Sequence, residues 1–153
     1  MFTPQFYKIV SGRGKSSFPL VAFDKALRNA GIGDFNLVKV SSILPANCIY
    51  SEEINLKPGS ILYAAYSTIT ISNGEKGQTA VSVAIPEDKD ENGVIFENSL
   101  LNCTEDGEWI VRSMCQEAMR QRNRNIKEIK ISSQSILGVE NMFVSAISAI
   151  VMW

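Results

Sequence analysis

Residues 35–46 read Phe35-Asn36-Leu37-Val38-Lys39-Val40-Ser41-Ser42-Ile43-Leu44-Pro45-Ala46. From Phe35 to Val40 the chain has strand character without a turn signal, which predicts a largely buried strand running into two adjacent serines. Pro45 restricts Leu44 to extended backbone and cannot donate to a ladder, so residues 43–46 continue extended beyond the pair. A serine pair at the abrupt end of an apolar strand has two readings. It is an ordinary turn, or it is where the backbone cuts itself and Ser42 is chemically remade.

Working outward, Phe6 to Val10 reads as a first strand. The segment Gly12-Arg13-Gly14-Lys15-Ser16-Ser17 reads as a loop of small and basic residues. Gly14-Lys15-Ser16 copies the tail of a phosphate-binding loop but lacks the gap after the first glycine that such a loop requires, so a plain strand-to-helix connection is preferred. Pro19 suits a first helical turn, and Leu20, Phe23, Leu27 and Ala30 form an apolar stripe that stops at Gly31. Asp24 projects at the edge of that stripe, where a carboxylate needs a partner. Arg28, four residues on, offers an ion pair, and this is weighed against a ligand role for Asp24.

Beyond the serines, residues 60–72 and Thr79–Ile85 read as neighbouring strands joined through the Asn73-Gly74 turn. Val94 to Leu101 is a further strand with Ile95, Glu97, Ser99 and Leu101 on one face, which leaves Glu97 an isolated carboxylate in apolar surroundings. An amphipathic helix begins at Thr104 and carries Ile110, Val111, Met114, Cys115, Ala118 and Met119; strands over 126–132 and 141–153 complete the chain. No linker or repeat interrupts this order, so residues 1–153 form one domain. Helices separated by runs of short strands predict an α+β fold, a layered sandwich of mostly antiparallel sheet covered by helices.

Composition narrows the chemistry. The 153 residues carry a formal charge of −1 and are 45% hydrophobic, which favours small-molecule partners over nucleic acid or an anionic membrane surface. The basic run from Arg120 to Lys130 has no aromatic platform beside it and reads as a solvated face. Histidine is absent, so Ser-His-Asp and Cys-His nucleophile systems are excluded. Cys48, Cys103 and Cys115 lack metal or disulfide spacing, the acidic loop 86–93 does not match a calcium loop, and no metal site is expected. The start of the chain lacks a basic and apolar leader, and no apolar run is long enough to span a bilayer; a cytoplasmic, non-membrane protein is expected.

Several segments, in this order and spacing, resemble the pyruvoyl-dependent arginine decarboxylase family: Ala22-Phe23-Asp24, Asn29-Ala30-Gly31-Ile32-Gly33, Asn36-Leu37, Val40-Ser41-Ser42-Ile43-Leu44-Pro45, Val81-Ser82-Val83-Ala84-Ile85-Pro86 and Gly93-Val94-Ile95-Phe96-Glu97. The resemblance covers nearly the whole chain. It implies that the Ser42 hydroxyl attacks the Ser41 carbonyl, that the resulting ester eliminates, and that the chain separates into a β subunit 1–41 and an α subunit 42–153. Residue 42 then becomes a covalent pyruvoyl cofactor that serves as an electron sink for decarboxylation of L-arginine to agmatine. By similarity Glu97 protonates the α-carbon, Asn36 assists processing, and Asp24 holds the distal guanidinium in a pocket lined by Leu20, Gly33 and Phe35, with Ile43 beside the cofactor. Phe35 is larger than the aliphatic residue expected there, so a decarboxylase for another amino acid stays open, as does an uncleaved homologue acting as a small-molecule binder or subunit.

Asn36 and Ser41 are five residues apart, about 16 Å along an extended strand, beyond the reach of one side chain. Either the strand bends sharply or Asn36 serves a neighbouring subunit. The second is preferred, and it agrees with the assembly that the resemblance implies: a homotrimer, alone or paired into a hexamer.

Overall fold

The computed structural model describes residues 2–153. In chain order its elements are β1 (Phe6–Ser16), α1 (Pro19–Asn29), β2 (Asn36–Lys39), β3 (Ile43–Leu44), β4 (Ile49–Tyr50), β5 (Ile61–Ile71), β6 (Lys76–Pro86), β7 (Gly93–Leu101), α2 (Gly107–Gln121), β8 (Ile126–Leu137) and β9 (Phe143–Met152). One sheet has the order β2-β5-β9-β1-β4 and the other β3-β7-β6-β8. Among the described residues, only β1–β4 and β2–β5 pair in parallel. The first sheet carries α1 on its outer face and the second carries α2, which gives four layers and bears out the expected sandwich.

The alternation of side chains explains this layering. Tyr7, Ala65, Ile150 and Met152 of the first sheet meet Leu44, Val81, Val83 and Ile95 of the second in a shared apolar core. Farther along, Ile71, Ile136, Val144 and Ala146 form a separate cluster. A polar belt lies between the two. Ser11, Ser148 and Ser67 stand side by side across β1, β9 and β5. Ser148 Oγ lies 2.8 Å from Thr79 Oγ1, Gln134 Nε2 donates to Ser11 Oγ at 3.2 Å, and Ser67 Oγ donates to the Ala80 carbonyl at 3.2 Å. An unpaired buried hydroxyl costs about 1–3 kcal/mol, so these bonds penalise any slip of one sheet over the other. Among the described residues every buried side-chain nitrogen or oxygen has a partner.

Several sequence expectations are corrected. The segment 12–16 is not a loop but the second half of β1, and its glycines serve packing. A Cβ at Gly12 would come within 2.3 Å of the Ala26 carbonyl oxygen, and one at Gly14 within 2.4 Å of Lys25 Cβ. The helix therefore rests almost directly on strand backbone. That close approach selects Ala22 and Ala26 as the fully buried residues of α1, while Leu20, expected in the apolar stripe, is 82% exposed. Gly31 ends the helix as expected, at φ +78°.

β5 and β6 are consecutive but belong to different sheets, because the turn at residues 72–75 carries the chain across the sandwich rather than closing a hairpin. Helix α2 starts later than Thr104: the Asp106 side chain accepts from Glu108 N–H at 3.0 Å and Gln78 Oε1 accepts from Gly107 N–H at 2.9 Å. β8 runs five residues past Ser132, since its polar end still pairs with β6 and supplies Gln134 to the belt. β2 is not largely buried; among the described residues it is an edge strand whose neighbour is β5 alone. Among the described residues no helix is long and apolar enough to cross a membrane.

Candidate active site

The serine pair lies where the chain changes sheets. Val40 N–H still donates to the Ala64 carbonyl at 3.0 Å in the first sheet, whereas the Ser42 carbonyl already accepts from Ile95 N–H at 2.8 Å in the second. The strand ends abruptly because the backbone between these two bonds must cross the sandwich edge. Ser41 is exposed and Ser42 half-buried. A small cavity of about 330 Å³ borders Ser41, walled by Val40, Ile43, Pro45, Tyr63 and Met152. The peptide bond between the serines thus sits beside apolar surface and outside either ladder.

Register brings Glu97 to the same place. Ile43 pairs with Val94 and Leu44 with Gly93, and the bond from Ile95 to Ser42 extends that antiparallel register by one step. Ser42 therefore stands opposite Ile95, and the side chains of Ser42, Ile95 and Glu97 share one face, with Glu97 a diagonal neighbour at about 7–8 Å between backbones. Glu97 itself pairs with Val81 and is half-buried. Burial pushes its carboxyl above the usual carboxylate range, against the opposing pull of the Lys39 ammonium and a backbone N–H. Lys39 Nζ rests over the Tyr66 ring at 4.7 Å. Lys39 is a functional candidate the sequence reading did not single out; its signal was a lone cation two residues before the serine pair.

The other expected residues gather elsewhere. Asp24, in the middle of α1, accepts from Arg28 Nε at 2.9 Å, the ion pair their spacing suggested. Gly33 lies against Arg28, where a Cβ would come within 2.3 Å of Arg28 Cγ. Phe35 packs partly buried under α1 with Ile32 and Leu62. Asn36 begins β2, and its Nδ2 donates to the Gly59 carbonyl at 2.8 Å. Leu20 is one turn before Asp24, exposed on the same side of the helix.

The two groups do not meet within one chain. β2 pairs with β5 from Asn36 opposite Ile61 to Lys39 opposite Ala64, and Val40 continues the same ladder. The strand stays extended up to the serines, so Asn36 is left about 16 Å from Ser41 and the sharp bend is excluded. Ser42 and Glu97 gather at the sheet crossover, with Ile43 next along the chain on the opposite face, whereas Asp24, Gly33, Phe35 and Asn36 lie along α1 and the start of β2. A larger concavity of about 900 Å³, between the ends of β1 and β8 and lined by Arg13, Lys15, Lys76 and Gln78, contains none of them.

The site is thus a serine pair at a sheet crossover beside a half-buried carboxyl that burial raises above its usual range. The family described as pyruvoyl-dependent arginine decarboxylase matches residues 6–153. The chain belongs to this family. It is similar to the pyruvoyl-dependent arginine decarboxylase of Methanococcus aeolicus, 38% identical over 98% of this chain and 90% of the relative. Proteins of the same name from Thermococcus kodakarensis and Pyrococcus abyssi are 36% and 34% identical over 99% of this chain and 96% of theirs. The pyruvoyl group named for this family fits residue 42. The position carries a serine hydroxyl, lies outside a ladder on its N-terminal side, and has its own carbonyl held by Ile95 N–H.

Proposed function

We propose that this chain is a self-processing decarboxylase that converts L-arginine to agmatine and carbon dioxide, acting in the cytoplasm as a homotrimer of cleaved protomers, alone or paired into a hexamer. The observation that carries the reading is the shared face of Ser42 and Glu97 at the sheet crossover, with Glu97 biased by burial towards its protonated form.

Processing begins with the Ser42 hydroxyl and the Ser41 carbonyl, two groups on adjacent residues held between fixed points at Val40 and Ile95. Their ester then eliminates, leaving Ser41 as a new carboxyl terminus and residue 42 as dehydroalanine, which takes up water and releases ammonia to leave a ketone. A pyruvoyl group at residue 42 would supply the ketone for an α-amine and the sink for the electron pair left by carbon dioxide. Everything else falls to ordinary side chains. Ile95 N–H fixes the carbonyl of residue 42, and Val40, Ile43 and Tyr63 place apolar surface beside Ser41. Glu97 holds the proton that this carbon receives, a task that requires a carboxyl still protonated near neutral pH. Asp24 of a neighbouring protomer takes the guanidinium, with Leu20, Gly33 and Phe35 around it, and Asn36 of that protomer assists processing.

Denaturing mass spectrometry with an arginine turnover assay tests the reading. Wild type should give two fragments, the larger without a free N-terminal amine, and should release agmatine. Ser42→Ala should remain a single chain of about 16.9 kDa and be inactive. Active wild type that stays intact would sink the self-processing chemistry, and cleaved protein that turns over another amino acid but not arginine would sink the substrate assignment.

A further inference from the structure

Arg28 occupies the ground that an arginine substrate's guanidinium needs. Its Nε donates to Asp24 Oδ2 at 2.9 Å, and the two side chains are 55% and 53% exposed. The stem of Arg28 lies along the backbone at Gly33, where a Cβ would stand 2.3 Å from Arg28 Cγ and 2.9 Å from its Cα. The absence of a side chain at 33 is thus what leaves room for that stem. The carboxylate and the glycine assigned to the substrate's distal end already hold a guanidinium that belongs to the chain itself.

A carboxylate binds a guanidinium best through two parallel hydrogen bonds, one to each oxygen. With Oδ2 engaged by Arg28, an incoming guanidinium has two courses. It meets one oxygen with a like charge alongside, or it displaces Arg28 and takes both. Displacement is inexpensive: exposed pairs at i,i+4 are worth only about 0.3–0.5 kcal/mol. The freed Arg28 is long enough to turn away from Asp24, since it stands in the last turn of α1 and is half exposed in the single chain.

We propose that Arg28 is an internal competitor for Asp24, a specificity-determining residue that occupies the guanidinium site when it is empty and yields it on binding, so that it sets KM rather than kcat. This rests on the reading of Asp24 as the substrate's guanidinium acceptor. The competition acts on every ligand with a distal guanidinium, the product included, and leaves ligands with an apolar tail untouched.

The test compares wild type, Arg28→Ala and Arg28→Lys, all as processed enzyme. Three quantities are measured: KM for L-arginine, and inhibition constants for agmatine and for L-norleucine, which has no distal cation. In Arg28→Ala, KM for arginine and the agmatine constant should fall together by about twofold, the factor that an exposed i,i+4 pair is worth, while kcat moves less than KM and the norleucine constant stays put. Arg28→Lys should lie between, because an ammonium still competes but without a planar fork. If Arg28 only stabilises the end of α1, Arg28→Ala lowers the melting temperature and leaves the arginine and agmatine constants where they were. That result would overturn the proposal, as would a rise in KM or an equal shift for norleucine. Wild type that turns over another amino acid but not arginine would remove the reading of Asp24 and this proposal with it, whereas arginine-active wild type with an unshifted Arg28→Ala removes the competitor role alone.

Discussion

Replacing Glu97 with glutamine separates what this carboxyl does for chemistry from what it costs the fold. The two side chains have nearly the same volume, so the half-buried position beside Val81 and Ile95 keeps its packing and β7 its register. What is lost is a transferable proton. A positioned general acid contributes about 10²- to 10⁴-fold, or about 3–5 kcal/mol of barrier. Glu97→Gln should therefore lose about that factor in arginine turnover, while cleavage at least partly persists because the attacking group is the Ser42 hydroxyl.

Stability should move the other way. Burial raises the Glu97 carboxyl, so its ionised form is disfavoured in the folded chain. Well below the ordinary carboxylate pKa, folded and unfolded chains are both neutral here and there is no penalty. As pH rises through the raised pKa, the folded chain must ionise a half-buried group and stability is lost. Glutamine cannot ionise. The melting temperature of Glu97→Gln relative to wild type should thus rise between pH 4.5 and pH 8, while its turnover stays low throughout.

In wild type the alkaline limb of kcat should report the same titration, and Lys39→Met, which removes the cation opposing burial, should move that limb to higher pH. Turnover of Glu97→Gln within fivefold of wild type would refute Glu97 as proton donor. An alkaline limb unmoved in Lys39→Met would show that another group controls it.

Two further outcomes follow from the geometry. If Asn36 acts across a subunit boundary, co-expressing Asn36→Ala with Ser42→Ala should yield cleaved chains from the Asn36→Ala partner, since each mixed assembly pairs an intact Ser42 with an intact Asn36; if those chains fail to cleave although each variant assembles, the composite site is wrong. At the other end of the molecule, Gly12→Val should lower unfolding free energy by at least the 1–3 kcal/mol typical of overpacking, because its Cβ would lie 2.3 Å from the Ala26 carbonyl oxygen. A chemical denaturation midpoint unchanged from wild type would contradict the close seating of α1 on β1.

Much of this molecule was legible from local pattern. Pro19 and Gly31 mark the limits of α1, and residue alternation placed Ile95 and Glu97 on one face of β7. The serine pair, the glutamate and the ordered family segments were visible as residue types at fixed spacing. The errors share a cause. Gly12 and Gly14 look like loop residues until a helix is laid on them, and Leu20 looks like core until that helix turns out to seat through alanines. Periodicity tells which residues share a face, but not which face meets a neighbour at close range.

The sequence by itself determined the residue types and their order: a serine pair at the end of a strand, a lone carboxyl in apolar company, no histidine, and the ordered segments that mark the family. Only the tertiary structure decided why the serine pair is a break in the chain's pairing. It is the crossing from one sheet to the other, held by Ala64 on one side and Ile95 on the other. Tertiary structure also split the expected site into halves, because β2 is an edge strand whose ladder to β5 keeps it straight. That pairing is made with residues some 25 positions away, and no local pattern records it.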